Sequence, residues 1–297
     1  MTTGNIDEPG GPPVVQTIPA VRQHVARARS VGRRVALVPT MGALHAGHIS
    51  LIEAATASTA YTVVSIYVNP TQFGPREDLA AYPRTLDADR RACAEAGVDL
   101  IFAPTDAAMY PPGDQTRVRP GPLAEPMCGR FRPGHFEGVC TVVAKLFNIV
   151  RPDVAYFGQK DAQQAVVIRR MVEDLRLPVQ VEVCPIVREP DGLAMSSRNA
   201  YLNADERLRA LSLYRGLCAG RDLLLSGERS IGRVRERMAS AVREAGGDVG
   251  IDYLVVVDPE TLAPAEAKGR VLLAGAVRIG ATRLIDNLLV DVDGGRA

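Results

Sequence analysis

His45 and His48 lie three residues apart in the stretch Pro39-Thr40-Met41-Gly42-Ala43-Leu44-His45-Ala46-Gly47-His48. The apolar run Val35-Ala36-Leu37-Val38 before them reads as a buried parallel strand, and Ile49 to Ala55 after them reads as a helix. Strand, glycine turn and helix in that order make half of a nucleotide-binding βα unit, with both imidazoles at the helix mouth. Unpaired backbone N–H groups and the positive end of the helix dipole favour an anion there, and imidazole N–H groups add donors. A phosphate site is the first expectation. The pair also fits zinc, which needs at least one more protein ligand, or ordinary core and surface histidines. The remaining candidates for a metal, His24, His135, the cysteines and the carboxylates, stand at no recognisable spacing.

Two further stretches carry donors. Phe157-Gly158-Gln159-Lys160-Asp161-Ala162-Gln163-Gln164 sets a lysine and several amides at a second strand-to-helix turn. A lysine in a turn is usually a solvated residue. At the carboxyl end of a strand, however, its ammonium would face the same crevice as the histidines and could neutralise phosphate charge. Gly192-Leu193-Ala194-Met195-Ser196-Ser197-Arg198-Asn199 reads as a polar loop capping the next helix. Its two hydroxyls, adjacent backbone N–H groups and guanidinium also form a donor cluster suited to a polyphosphate.

The elements that must position these groups alternate regularly at first. Residues 1–18, with Gly4, Pro9, Gly10, Gly11, Pro12 and Pro13, read as a disordered extension. A helix from Pro19 to about Val31, strands over 35–38, 62–68 and 100–103, and a helix over about 85–96 follow. The breaker-rich segment 104–135 predicts a long irregular connection with a short strand near Thr116 to Arg119. A helix over 136–149, a strand over 153–158, a helix to about Arg176 and a strand over 179–184 complete an α/β domain. Its fold class is a Rossmann-like, doubly wound parallel sheet, on which ligands sit at the carboxyl ends of strands. The last third reads differently. Asn203-x-x-Glu206 starts a helix to about Leu225, a helix over 230–245 follows, and the runs 251–257, 270–277 and 282–290 can pair antiparallel. This predicts a smaller C-terminal α+β domain over 187–297, after a nucleotide-binding domain over 19–186.

Composition narrows the partners. The chain has 297 residues, 46% hydrophobic and 23% charged, with a formal net charge of +1, and its basic residues form no blocks. A small-molecule partner is expected, with no nucleic acid and no membrane. Five scattered cysteines, an odd number without a C-x-x-C pair, suit a reducing cytoplasm. No apolar run approaches the roughly 18 residues of a spanning helix, and the N-terminus lacks the order of a secretory signal.

The three donor stretches, in this order, strongly resemble the pantothenate synthetase (pantoate–β-alanine ligase) family. Met41-Gly42-Ala43-Leu44-His45-Ala46-Gly47-His48 and Met195-Ser196-Ser197-Arg198-Asn199 look like that family's versions of the HIGH and KMSKS signatures of the wider nucleotidyltransferase superfamily. The likeness also covers Tyr67 to Phe73, Tyr82 to Thr85, Arg132 to Phe136 and Lys145 to Asn148, and runs from about residue 17 to 292. Two departures stand out. The family usually shows Leu-Glu-Gly where this chain has Met127-Cys128-Gly129, and often Gly-Glu-Lys-Asp where it has Gly158-Gln159-Lys160-Asp161.

The resemblance implies an ATP-dependent ligase. It condenses pantoate with β-alanine to pantothenate through a pantoyl adenylate and releases AMP and pyrophosphate. It assigns His45, His48, Lys160, Ser196, Ser197 and Arg198 to catalysis at the phosphates. Met41, Gly47, Gly158, Asp161, Val187 and Met195 join them around the nucleotide. Gln72, Gln164, Met41 and Phe157 are expected at pantoate, Asn69 and Arg198 at β-alanine, and Asp89 at Mg2+. A homodimer whose C-terminal domain acts as a lid is implied too. The competing readings are another nucleotidyltransferase, such as a phosphopantetheine adenylyltransferase, an RNA-binding relative of aminoacyl-tRNA synthetases, and a silent nucleotide-binding module. The Ser-Ser-Arg loop with a whole extra domain favours the ligase. The lack of a basic face argues against RNA, and the complete donor set argues against silence.

Overall fold

A computed structural model describes residues 11–58, 60–75 and 77–292. In chain order the elements are β1 (Val14–Val15), α1 (Ile18–Ser30), β2 (Val35–Thr40), α2 (Ala46–Ala57), β3 (Tyr61–Ile66), α3 (Leu86–Glu95), β4 (Leu100–Phe102), α4 (Asp106–Met109), α5 (Cys128–Phe131), α6 (His135–Val150), β5 (Val154–Gly158), α7 (Ala162–Asp174) and β6 (Gln180–Cys184). Then come α8 (Ala204–Leu225), α9 (Ile231–Arg243), β7 (Val249–Val257), β8 (Arg270–Ile279) and β9 (Thr282–Asp291).

Strands β1 to β6 form one parallel sheet in the order β1-β4-β3-β2-β5-β6. The α/β expectation holds, and its cause is visible in β2: Val35, Ala36, Leu37 and Val38 are all buried, as a strand covered on both faces requires. The chain steps one way through β2, β3 and β4, then returns to add β5 and β6 on the other side of β2. That reversal puts a topological switch point between β2 and β5, where Ala36 pairs with Val154 and Leu37 with Ala155.

Part of the expected N-terminal extension is structured. Residues 1–10 lie outside the described residues, but Val14 and Val15 are buried and pair with Ile101 and Phe102. Two adjacent β-branched residues suffice to add a strand when β4 offers its backbone. Thr17 then caps α1 by accepting from the Ala20 amide. The strand expected near Thr116 to Arg119 does not form, because the Val118 amide donates to the Thr141 hydroxyl (3.0 Å) rather than to a ladder.

The chain divides into two compact units. The first holds the residues up to Gly121 with Arg132–Gly158 and Val167–Pro185. The second holds Pro122–Phe131, Gln159–Val166 and everything from Ile186 onward. Segments 122–131 and 159–166, which the linear division placed before residue 187, therefore go with the second unit. Packing explains this: Met127 is buried with Val257, Leu262, Leu272 and Ala274, and Leu123, Ala162 and Val166 pack against that cluster. The expected antiparallel sheet is present as β7-β8-β9, backed by α8 and α9 through Leu213, Leu217, Val234, Met238 and Leu273. Asn203 and Glu206 form the reciprocal cap that starts α8. Among the described residues, no helix is long and apolar enough to cross a membrane.

Candidate active site

The stretch after β2 leaves the sheet at the switch point. Thr40 accepts from the Gly42 amide and donates to the Ser65 carbonyl (2.8 Å), tying the turn to β3. Gly42 adopts φ +81° and Ala43 φ +51°, so the backbone passes through the left-handed region in consecutive residues. A side chain at Gly42 would also stand 3.0 Å from an Asp89 oxygen. Asp89, on α3 and 2% exposed, holds this strained turn: Oδ2 accepts from the Ala43 amide (3.0 Å) and Oδ1 from the Leu44 amide (2.8 Å) and the Thr85 hydroxyl (3.2 Å).

The turn delivers His45 and His48 to the first turn of α2. The Gly47 amide donates to His45 Nδ1 (3.1 Å), and the His45 amide donates to His48 Nδ1 (3.3 Å). A backbone N–H can only donate, so each Nδ1 accepts and each neutral ring carries its proton on Nε2. The rings lie together, 4.1 Å between centroids. Both imidazoles are thereby built as Nε2–H donors at a helix N-terminus, beside backbone amides of the same polarity.

The amide cluster after β3 is built into the same unit. Asn69, 1% exposed, donates to Gln72 Oε1 (3.0 Å) and the Gly138 carbonyl (3.1 Å), while its own oxygen accepts from the Thr71 and Tyr110 hydroxyls. Gln72 in turn donates to the Met41 sulfur (3.2 Å). The Gln72 backbone is fixed separately. His135 Nδ1–H donates to its carbonyl (2.9 Å), and His135 Nε2 must accept from Arg132 (2.9 Å), since a guanidinium has no acceptor. Arg132 also grips both oxygens of Glu77 at 2.7 Å. Burial alone would push the Glu77 carboxyl up, but the Arg132 bonds and charge outweigh it and bring it to about 2.

The second unit holds the remaining donors. A short 3-10 turn, Gln159–Asp161, carries Lys160, whose ammonium lies 3.7 Å from Asp161 Oδ2. Val187 to Met195 form a hairpin: Arg188 bridges Ala194, and the Met195 amide donates to the Val187 carbonyl (3.0 Å). Ser196 follows and caps the 3-10 turn Ser197–Tyr201 by accepting from the Arg198 amide. Asn199 ties that turn back to Glu189 Oε1 (2.8 Å) and the Ala194 carbonyl (3.1 Å). Main-chain and side-chain donors of Ser196 to Arg198 are thus set by the hairpin that precedes them.

The chain from residue 13 to 289 matches the family model described as pantoate-beta-alanine ligase. It belongs to the pantoate–β-alanine ligase family. The pantothenate synthetase of Moorella thermoacetica is 54% identical over 281 residues, covering 94% of this chain and 99% of the relative. A crystal structure of pantothenate synthetase from Thermus thermophilus superposes with a TM-score of 0.86 at 47% identity, over 94% of this chain and 99% of that one. Pantoate-beta-alanine ligase from Francisella tularensis, complexed with beta-gamma ATP and beta-alanine, is 33% identical with a TM-score of 0.74, covering 93% and 97%.

Within this ligase, the first unit holds Met41, Gly47, His45 and His48 in the stretch after β2, with Gln72 bonded to Met41, Asn69 to Gln72 and Asp89 to the Ala43 and Leu44 amides, and β5 delivers Phe157 and Gly158 to its carboxyl end. Phe157 is 5% exposed, so most of its ring is core. Lys160, Asp161, Gln164, Val187, Met195, Ser196, Ser197 and Arg198 all fall in the second unit and are partly accessible. Among the described residues, no group of three or more His, Cys, Asp and Glu could hold a metal ion.

Two parts of the ligase's framework had no signal in the sequence reading. Gln163, buried beside the expected Gln164, accepts from the Cys128 amide (2.9 Å) and donates to the Leu123 and Pro126 carbonyls, so it holds segment 122–128 in place. The buried pair Asp286 and Asn287 reaches the Lys160 turn and Arg188 from β9. A hydrophobic pattern finds strands and helices, and a polar side chain that bonds to residues distant in sequence leaves no periodic trace.

Proposed function

We propose that this ligase makes pantothenate in two half-reactions on one enzyme. ATP-dependent joining of pantoate to β-alanine is the activity of its family. In the first half, a pantoate carboxylate oxygen attacks the α-phosphorus of ATP, the bond to the departing pyrophosphate breaks, and pantoyl adenylate forms. In the second, the β-alanine amine attacks the acyl carbon. A C–N bond forms, AMP leaves, and the amine gives up a proton.

A carboxylate approaching a polyphosphate meets like-charge repulsion, so the protein must supply positive charge and alignment rather than a nucleophile. The observation that carries the reading is the tautomer set at the helix mouth: backbone amides occupy Nδ1 of both His45 and His48, leaving Nε2–H as the donor of each. His45, His48, Lys160, Ser196, Ser197 and Arg198 are assigned to the phosphates and the charge that develops there. Gly47, Met41, Val187 and Met195 are assigned to the nucleotide, and Gly158 and Asp161 to its ribose. Gln72 and Gln164 supply amides for the pantoate hydroxyls and carboxylate, with Met41 and Phe157 against its methyl groups. Arg198 pairs with the β-alanine carboxylate. Asn69 reaches β-alanine by giving up one of its present bonds, and otherwise acts by orienting Gln72.

Mg2+ enters as part of the substrate MgATP, its shell completed mainly by phosphates and water. Asp89 is the carboxylate proposed for it, and its oxygens also accept from the Ala43 and Leu44 amides and the Thr85 hydroxyl, which fixes the histidine turn. The working protein is read as a cytoplasmic homodimer with the C-terminal domain as lid. Its five unpaired thiols suit a reducing compartment. Incubation with MgATP, pantoate and β-alanine tests the reaction: AMP and pantothenate appear together and only when both acids are present. AMP released at the same rate without pantoate would refute the adenylate.

A further inference from the structure

Two consecutive residues of β9, Asp286 and Asn287, are buried together, although strand residues ordinarily alternate between faces. Both are polar and 5% and 2% exposed, so each needs partners. Asn287 Nδ2 donates to the Gln159 carbonyl (2.9 Å) and to the Lys160 carbonyl (3.0 Å), spending both amide hydrogens on consecutive peptide units of the turn that carries Lys160. Its Oδ1 accepts from Gln159 Nε2 (3.1 Å), so that turn is held from both sides of one amide. Carbonyls only accept, which fixes the amide's orientation. Gln159 supplies the donor that this oxygen meets.

Asp286 does the corresponding work for the other donor segment. Its oxygens take Arg188 Nη1 (2.7 Å) and Nη2 (2.9 Å) in a two-pronged pair. Arg188 also donates to the Gly192 carbonyl (3.0 Å) and lies over the Tyr214 ring, 3.9 Å from its centroid. Arg188 and Gly192 belong to the hairpin that leads into Ser196 to Arg198. The Asn287 backbone N–H donates to Asp286 Oδ1 (2.7 Å), joining the two anchors. All of these residues lie within the second unit.

We propose that Asp286 and Asn287 are positioning residues for adenylate formation, Asn287 setting Lys160 through the turn's carbonyls and Asp286 setting the Ser196 to Arg198 loop through Arg188. This rests on the assignment of Lys160 to the ATP phosphates. Neither residue touches substrate in this scheme. Each fixes the backbone from which a donor side chain projects, so that the donors meet the polyphosphate without reorganising at the moment of reaction.

Pantoate-dependent exchange of labelled pyrophosphate into ATP tests this in a double-mutant cycle. Asn287→Ala is expected to lower the exchange kcat about 10-fold or more, with the pantoate KM nearly unchanged. Asn287→Asp keeps the size but removes both amide hydrogens, and is expected to match it. In a Lys160→Ala background, Asn287→Ala should cost less than about twofold more, because the lysine it positions is gone. An equal loss in both backgrounds would overturn the proposal. So would loss of the melting transition by both Asn287 variants, which would make the pair a plain structural element. Lys160→Ala with unimpaired exchange would instead refute the lysine's own assignment, so the two failures are distinct.

Discussion

Asp89 Oδ1 lies 2.8 Å from the Leu44 backbone nitrogen, and this contact joins α3 to the turn that presents both histidines. Asp89→Asn keeps the shape and puts an NH2 where an amide N–H now points. Donor would face donor, and one part-buried amide loses its partner, at about 1 kcal/mol or more. The expected result is a lower melting temperature and a higher ATP KM. Titration with Mg2+ separates the two roles given to Asp89: a turn-fixing role leaves the Mg2+ dependence of the variant unmoved, and a shift to higher Mg2+ would favour direct ligation.

Removing one preorganised donor at the phosphates should be costly. His48→Ala and Lys160→Ala are each expected to lower pantoate-dependent pyrophosphate exchange by about 10² or more. Exchange near the parent rate in either variant would sink that residue's assignment.

Gln164→Ala should raise the pantoate KM while ATP affinity, measured by nucleotide titration without pantoate, changes little. A defect confined to ATP would show that Gln164 serves the other substrate.

Gly138 faces the turn that carries Gln72 at backbone distance: a Cβ there would stand 2.3 Å from the Thr71 carbonyl oxygen. Gly138→Ala must therefore push 69–72 away from α6 and strain the Asn69 bonds. We expect a loss of about 1–3 kcal/mol in urea unfolding together with weaker pantoate binding. An alanine variant with parent-like stability and pantoate KM would show that this contact is not needed.

The Arg132–Glu77 pair makes stability depend on acid pH. The ordinary value for glutamate is 4.5 and the folded one about 2, so the contribution is fully present above 4.5 and is lost as pH falls towards 2. The difference in urea midpoint between the parent and Glu77→Gln should be constant from pH 5 upward and shrink between pH 4.5 and 2. A difference that grew as the pH fell would contradict the ion pair.

How far the sequence could be read depended on the scale of each feature. The strands β2, β3 and β5 were legible because Val35–Val38, Val63–Val64 and Val154–Phe157 are continuous apolar runs that only a doubly covered sheet accommodates. The histidine turn was legible for the same reason, since a strand and a helix bracket it. Val14 and Val15 were hidden by the glycines and prolines before them. The family resemblance implies Asp89 as a Mg2+ contact, but its grip on Ala43 and Leu44 depends on α3 folding back, which spacing does not encode. The same holds for Asn287: nothing local distinguishes it from a surface asparagine, and its role exists only once β9 lies beside residues 159 and 160.

The outermost strand of the large sheet has a practical consequence. The amides of Ile101 and Ala103 donate to the Pro13 and Val15 carbonyls, so the short β1 closes off the rim of β4, whose Leu100, Ile101 and Phe102 are fully buried. A chain trimmed past Val15 would bare a row of unpaired peptide groups on a strongly apolar ribbon, the arrangement on which other chains add themselves. Truncation at that end should therefore reveal itself first as clumping and poor yield, before any change in turnover.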